Sequence, residues 1–490
     1  MSRVRFAPSP TGDVHIGNIR TAIFNWLFAR HDGGQFLLRV EDTDRARSTP
    51  EALASLLDVM AWIGLDYDED PLYQSQRADT HLAAAEQLIA AGQAYREGEA
   101  IRFRIPDESP SYRDAGEIVE QEIHPDVPLS VTENSVSYAL ISRKGKAMPQ
   151  EGCAAGFKDL EVIEDEGRTR IRFRRRELVY QDLVKGELAK PLDSMKDLVI
   201  VRSDGSPVFH LANVCDDIHM RISHVIRGDD HVENTYRHIL LFQALGATPP
   251  VFAHLPMIVN AQGKPYSKRD GDAFVGDFRD KGYEPDALFN YLALLGWSPG
   301  GDLERMSLAQ MAELFTLDRV KSSAAQMDHR KLLDLNGQRI AAMDPSEFLS
   351  TTRRFAESAE WYASADADYF DSIAALMQTR TKLFPDVQKW DFFFVEAPAM
   401  DEKAARKFLG REGISEALAE LATRFSSLTE FTPESIEAAL HATTDAHGIG
   451  RGKLNQPLRV AITGTTVGAG VYETAAVLGS ERVLARLQAL

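Results

Sequence analysis

Cysteine is nearly missing from this chain of 490 residues: Cys153 and Cys215 are the only two. Two thiols cannot build a disulfide framework or an all-cysteine zinc site. Positive charge is in deficit as well. Against 73 Asp and Glu stand 55 Lys and Arg, a formal net charge of −18, so nucleic acid would have to be held by local basic patches and not by the overall field. No run approaches the ~18 consecutive apolar residues of a membrane span. The most apolar tail, Val460 to Leu478, is interrupted by Thr, Gly and Glu473. The start, Met1 to Pro10, lacks the apolar stretch of a secretory signal. These absences point to a reduced, cytoplasmic protein with no membrane partner. Neither the Walker lysine loop nor the dinucleotide glycine fingerprint occurs, and no solenoid period repeats.

What is present is an ordinary globular composition, 44% hydrophobic and 26% charged, in a chain long enough for roughly three domains of about 150 residues. Arg3 to Ala7 suits a short strand, and Pro8-Ser9-Pro10-Thr11-Gly12-Asp13 is turn chemistry. Ile16, Ile19, Ile23, Trp26 and Leu27 recur at helical spacing up to about His31. Gly33-Gly34 stops that helix before a second strand, Phe36 to Glu41. A strand–turn–helix–strand order predicts a parallel sheet in an α/β fold. Thr49-Pro50-Glu51 starts a further helix with cap, proline and acid in order. From about Arg96 to Asp193 strand-like pieces, prolines and mixed charge suggest an inserted β-containing module. Leu198–Val201 and Val208–Leu211 look like strands around the turn Ser203-Asp204-Gly205-Ser206. The α/β pattern then continues through Val225-Ile226-Arg227 and a helix near Asn234 to Leu245. After about Asp286 the pattern is almost wholly helical, with helix starts at Asp344-Pro345 and Thr432-Pro433.

Two segments carry candidate chemistry. The turn from Pro8 through His15, Ile16, Gly17 and Asn18 joins a strand to a helix start. Unpaired N–H groups and the positive end of the helix dipole favour phosphate there. His15 can donate to a phosphoryl oxygen, and Gly17 lets a ligand approach the backbone. The second segment, Gly263-Lys264-Pro265-Tyr266-Ser267-Lys268-Arg269-Asp270-Gly271, is a glycine-flanked basic loop. Its lysines suit phosphates that gain charge as a bond breaks.

In this order, and either side of an insertion, the two segments resemble the paired signatures of class I aminoacyl-tRNA synthetases. Further stretches narrow the resemblance to bacterial-type glutamyl-tRNA synthetases: Arg5 to Gly12, Arg39 to Asp44, His210 to Asn213 with Asp216-Asp217, Val225 to Gly228, and Gln456 to Gly464. The resemblance covers nearly the whole chain and is weakest from about Arg96 to Gly167. It implies a Rossmann-like catalytic domain (1–95 and 194–245), an inserted acceptor-stem-binding module (96–193), a stem-contact region carrying a mobile lysine loop (246–325) and an all-helical anticodon-binding domain (326–490).

The same resemblance implies the reaction. L-glutamate is activated by ATP, with Mg²⁺ accompanying the nucleotide, and is passed from a glutamyl adenylate to the 3′ end of tRNA(Glu), by a monomer. It assigns glutamate contacts to Arg5, Ala7, Ser9, Glu41, Phe209, Asn213 and Arg227. It assigns ATP contacts to Pro8, Thr11, His15, Gly17, Asn18, Asp230, Ile258, Val259, Ser267 and Lys268, with His15 and Lys268 as the catalytic pair. Two alternatives remain open: an enzyme that also glutamylates tRNA(Gln), and a degenerate paralogue that binds RNA without charging it.

This chain departs from the family pattern at named places. Pro265 stands where the loop motif usually has lysine, and Lys264 lies one residue earlier. Phe209 stands where tyrosine is common. Tyr95-Arg96-Glu97-Gly98 occupies the region where many relatives carry a cysteine-rich zinc knuckle, so no zinc is expected. Arg168, Arg170, Arg172 and Arg174 would share one strand face, where they could meet acceptor-stem phosphates or form a solvated surface. Arg319, Lys321, Arg330, Lys331, Arg380 and Lys382 are RNA-contact candidates in the helical third.

Overall fold

The computed structural model describes residues 1–44, 47–450 and 452–490. Two compact units result: Met1–Gly276 with Leu292–Met327, and Asp277–Tyr291 with Asp328–Leu490. In the first unit, strand β1 (Arg3–Phe6) leads into helix α1 (Ile16–His31), and strand β2 (Gln35–Val40) lies parallel to β1 in the register Arg3–Gln35 to Phe6–Leu38. This is the unit expected from the turn chemistry and helical spacing. Gly33 sits at φ 59°. A Cβ at Gly34 would fall 2.3 Å from the Ser2 carbonyl oxygen, so only glycine lets β2 start against the beginning of the chain. Thr49 caps helix α2 (Pro50–Trp62), accepting the Ala52 amide.

The inserted module is built on one long strand, β3 (Arg168–Asp182). It pairs antiparallel with Tyr112–Glu122, Phe157–Asp165 and Gly186–Pro191. Ile171 and Phe173 point into a small core with Val119, Tyr138 and Phe157, and Arg172 and Arg174 point out, as period-two alternation requires. The outward face is not the bare basic stripe considered above. Arg170 pairs with Glu120 at 2.6 Å, Arg174 with Asp159 at 2.6 Å, Arg175 with Glu117 at 2.7 Å and Arg176 with Glu108 at 2.7 Å. Acids from neighbouring strands and loops neutralise most of the run.

Val208–Leu211 is not a strand. Val208 is the cap of helix α3 (Phe209–His219), its carbonyl accepting the amides of Leu211 and Ala212. Four residues fit either period, and burial of Leu211, Val214 and Cys215 at i, i+3 and i+4 decides for helix. As a result Asn213 and Asp217 lie one turn apart on the same face. Strand β4 (His224–Gly228), helix α4 (Val232–Ala244) and strand β5 (Val251–Leu255) complete a second parallel crossover. The Ser223 amide donates to the Arg3 carbonyl at 2.9 Å, joining the two parallel blocks. β3 reaches this sheet at its last residue, where Asp182 pairs with Phe252. Leu37, Leu178, Val214, Val225, Leu240 and Phe252 share the core.

The second unit is helical, from His329–Ala341 and Pro345–Ala356 to Ser480–Gln488. Phe348, Phe370, Trp390, Leu421, Leu440 and Leu458 fill its core. Asp344 and Thr432 cap their helices as the sequence suggests. Buried Arg486 donates to the carbonyls of Phe392, Val395, Glu396 and Ile462, tying a loop to the last helix. Among the described residues no helix is long and apolar enough to cross a membrane.

Candidate active site

The carboxyl ends of β1, β2, β4 and β5 open onto a cleft of about 690 Å³, the usual place for a ligand in a parallel sheet. Arg5 enters from β1, Glu41 from just beyond β2, Asn213 from α3 and Arg227 from β4. Their partners set the electrostatics. Asp217 is buried and takes the Arg5 Nε at 2.9 Å, and Arg39 Nη1 from the other side. Burial alone would raise the Asp217 carboxyl, but Arg39 and Arg5 outweigh it and hold the group below the ordinary carboxylate range. Glu41 Oε1 accepts from Asn213 Nδ2 at 2.8 Å and from Arg39 Nη2 at 3.2 Å. Burial raises the Glu41 carboxyl against the pull of Arg39 and Arg5.

Arg227 is different. It is 6% exposed, and its hydrogen bonds go to neutral acceptors: Thr235 Oγ1 at 2.6 Å, the His231 carbonyl at 3.3 Å and His254 Nε2 at 3.3 Å. Burial, with repulsion from Arg5, pulls its guanidinium down to about 9. The ring of Phe209 stacks on His231 at 5.9 Å. Burial and the charge of Arg227 push His231 down to about 4, and His210 falls to about 4 from burial, then Arg237 and Arg227. The histidines beside Arg227 therefore stay neutral. At the end of the cleft formed by Arg5, Arg39 and Arg227, two carboxylates, Asp217 and Glu41, face three guanidiniums, and Arg227 is the one of these three whose hydrogen bonds reach no acid. A dianionic carboxylate ligand carrying one ammonium would balance that set.

The other half of the cleft begins at α1. Glu41 N–H donates to the Pro8 carbonyl at 2.9 Å, fixing the turn after β1. His15 is the cap of α1, and its Nδ1 accepts the Gly17 amide at 3.0 Å. With Nδ1 occupied as an acceptor, the neutral ring carries its proton on Nε2. Burial keeps the ring neutral by lowering it below the ordinary histidine value, against a smaller opposing hydrogen bond to the Tyr266 backbone. A Cβ on Gly17 would sit 3.2 Å from His15 Nδ1, so the glycine makes room for the histidine as well as for a ligand.

The lysine loop reaches the same place from 250 residues away. The Ile16 amide donates to the Ala273 carbonyl at 2.9 Å, and the Val275 amide to the Val14 carbonyl at 3.0 Å. Phe274 meets the His15 ring edge-on, and Lys268 Nζ lies 4.3 Å from the centre of the Phe274 ring.

Ala7, Pro8, Ser9, Thr11, Asn18, Phe209, Asp230 and Ile258 line the cleft with Arg5, His15, Gly17, Glu41, Asn213 and Arg227. Three expected residues do not line it. Lys268 rests on Phe274, Ser267 donates to Asp270 Oδ2 at 2.9 Å, and Val259 pairs with Gln326.

Residues that the sequence reading did not single out are the ones that aim the site: Arg39, Asp182, Thr235, His254 and Arg20. Arg20 is buried on the nucleotide side and donates to the carbonyls of Leu295 and Pro256. Burial brings its guanidinium down to about 10. The only local signal for Arg39 and His254 is a polar residue inside an apolar strand, which says that a buried partner exists and not which one. Both cysteines are buried. Among the described residues no three His, Cys, Asp or Glu side chains gather as a metal site.

Comparison with known proteins finds kin along the whole chain. Residues 1–114 and 140–334 match the family of tRNA synthetases class I (E and Q), catalytic domain, and residues 354–490 match an anticodon binding domain. Glutamate–tRNA ligase 1 of Syntrophus aciditrophicus (strain SB) is 40% identical over 487 residues, covering 99% of this chain and 96% of that protein. The glutamate–tRNA ligase of Thermobifida fusca (strain YX) is 39% identical over 501 residues, covering 99% and 97%. A crystal structure of a glutamate tRNA ligase from Elizabethkingia meningosepticum CCUG26117, in complex with its amino acid, superposes with a TM-score of 0.72 at 29% identity, over 100% of this chain and 98% of that one.

Proposed function

Because the chain belongs to the glutamate–tRNA ligase family of class I tRNA synthetases, we infer that it attaches L-glutamate to the 3′ end of tRNA(Glu) through a glutamyl adenylate made from ATP. The observation that carries the substrate assignment is buried Arg227, a guanidinium with only neutral acceptors around it, facing the same cleft as Arg5. A guanidinium fork binds a carboxylate bidentately. Arg227 and Arg5 hold the two substrate carboxylates, Glu41 takes the ammonium, and Ala7, Ser9, Phe209 and Asn213 close the pocket.

In the first step a glutamate carboxylate oxygen attacks the α-phosphorus and pyrophosphate leaves. His15 Nε2–H, released from the Tyr266 backbone as the lysine loop shifts, and the amides at the start of α1 meet the phosphates, with Gly17 and Asn18 at the turn. Thr11, Pro8, Asp230, Ile258 and Val259 border the nucleotide. Lys268, one ring away from His15, reaches the departing phosphates once the loop between Gly263 and Gly271 shifts, with Ser267 moving beside it. In the second step the terminal adenosine hydroxyl of the tRNA attacks the glutamyl carbonyl and AMP leaves. Mg²⁺ arrives with the nucleotide phosphates. Asp230, with Asp229 beside it on Lys185, would offer the ion a carboxylate at the cleft.

The test is aminoacylation of purified tRNA(Glu) and tRNA(Gln) with glutamate. Charging of tRNA(Glu) alone is the expected result. Charging of both shows the broader enzyme. Tight tRNA binding without charging of either overturns the ligase reading.

A further inference from the structure

Arg227 must be aimed without being neutralised, and the residues behind it do that. His254, on β5, is fully buried, as is Asp182 at the end of β3. Asp182 Oδ2 lies 2.6 Å from His254 Nδ1. Its other oxygen accepts the amides of Val184 and Lys185 at 2.9 Å and of His254 at 3.2 Å, so the carboxylate is pinned by backbone. A carboxylate on Nδ1 fixes the tautomer with the proton there. His254 Nε2 is then a lone-pair acceptor, 3.3 Å from Arg227 Nε–H and 2.9 Å from the Thr235 hydroxyl. Thr235 Oγ1 in turn accepts Arg227 Nη2 at 2.6 Å, and its single hydroxyl proton is shared between His254 Nε2 and the His231 carbonyl, 3.2 Å away.

We propose that Asp182 and His254, with Thr235, form a positioning relay that orients the Arg227 fork toward the acidic substrate while keeping the protein's own negative charge one imidazole away. This rests on the reading of Arg227 as a glutamate-binding residue. A carboxylate placed directly on Arg227 would satisfy it and compete with the substrate. A neutral imidazole fixes its direction and leaves its charge for the ligand. The relay also ties the glutamate pocket to the inserted module, because Asp182 is the terminal residue of that module's longest strand.

The test is steady-state charging of tRNA(Glu) by the full chain, with the KM of glutamate, ATP and tRNA measured separately. His254→Phe keeps a ring and removes both nitrogens. His254→Gln restores an acceptor toward Arg227 and a donor toward Asp182. Losing one hydrogen bond to a charged group weakens binding about tenfold or more. The expected result is a glutamate KM at least tenfold higher in H254F, with the ATP and tRNA values within about twofold, and recovery of most of that loss in H254Q. A glutamate KM within twofold of wild type in H254F, or an equal rise in the ATP KM, overturns the relay. Should H254F fail to fold, the near-isosteric Thr235→Val carries the test. A severalfold rise in the glutamate KM alone supports the relay, and an unchanged glutamate KM overturns it. A wild-type chain that charges no tRNA(Glu) would instead overturn the function on which the relay rests.

Discussion

Replacing Arg227 with Gln should stabilise the fold and destroy its use. The guanidinium, 6% exposed, falls from its ordinary 12.5 to about 9 because burial and neighbouring Arg5 disfavour the cation. At ~1.4 kcal/mol for each tenfold change in an ionisation constant, holding the charge there costs the fold about 5 kcal/mol. The direction follows from linkage. The unfolded chain holds this proton more tightly, so the cost is present in full below about pH 9 and fades only toward 12.5. Against it stand the hydrogen bonds to Thr235, His231 and His254 that glutamine would lose in part, each about 1.5 kcal/mol from a charged donor. The expected balance is a gain of about 1–2 kcal/mol, read as a melting temperature a degree or two higher at pH 7.5. Glutamate kcat/KM should fall by about two to three orders of magnitude, because a buried guanidinium–carboxylate pair is worth about 3–5 kcal/mol when one partner is removed. Thermal unfolding with and without saturating glutamate completes the assay. The ligand should raise the wild-type transition and leave that of R227Q where it is. A variant that melts below wild type, or that keeps its glutamate kcat/KM within tenfold, refutes the claim that Arg227 is an unneutralised cation kept for the substrate.

Asp217→Asn should have the opposite effect on stability. It removes the charge between buried Arg5 and Arg39 and should cost about 3–5 kcal/mol; a urea midpoint at pH 7 equal to wild type would contradict this. Because the Asp217 carboxyl is held below its ordinary value, its contribution is present above about pH 4 and disappears as the pH falls through the lower folded value. Over that acid range the variant should therefore lose less stability than wild type. His15→Asn keeps a side chain that can cap α1 and accept the Gly17 amide but lacks the Nε2 donor. Turnover should fall about 100-fold with an unchanged melting point, and wild-type turnover in H15N would remove His15 from phosphate contact. For the wild-type enzyme, kcat should stay level as the pH falls through 6.5 and decline only below it. The neutral His15 ring is the competent one, and burial holds its protonation to lower pH.

What the sequence makes legible is what neighbours along the chain decide. The turn at Pro8–Gly12, the helix running to His31 and the caps Thr49, Asp344 and Thr432 follow from residues within a few positions of one another. The helix at Phe209 was hidden because Val208–Leu211 satisfies two periods, and only tertiary burial of Val214 and Cys215 separates them. The site divides the same way. Arg5, His15, Glu41, Asn213 and Arg227 carry a resemblance readable in short motifs, and they share one cleft. Their aim depends on Asp217, Asp182 and His254, joined to them across gaps of 27 to 212 residues, and no local pattern encodes such a pairing. The arginines show why this matters for function. Arg170 and Arg227 are each one basic residue on a strand, and without the motif around Arg227 their local sequence gives no ground for telling them apart. In the fold Arg170 meets Glu120 at 2.6 Å, whereas Arg227 meets a hydroxyl, a carbonyl and an imidazole. Only the second has a charge left to give to a ligand. Surroundings that supply geometry without supplying an anion are what set Arg227 apart from Arg170 as a cation kept for a ligand.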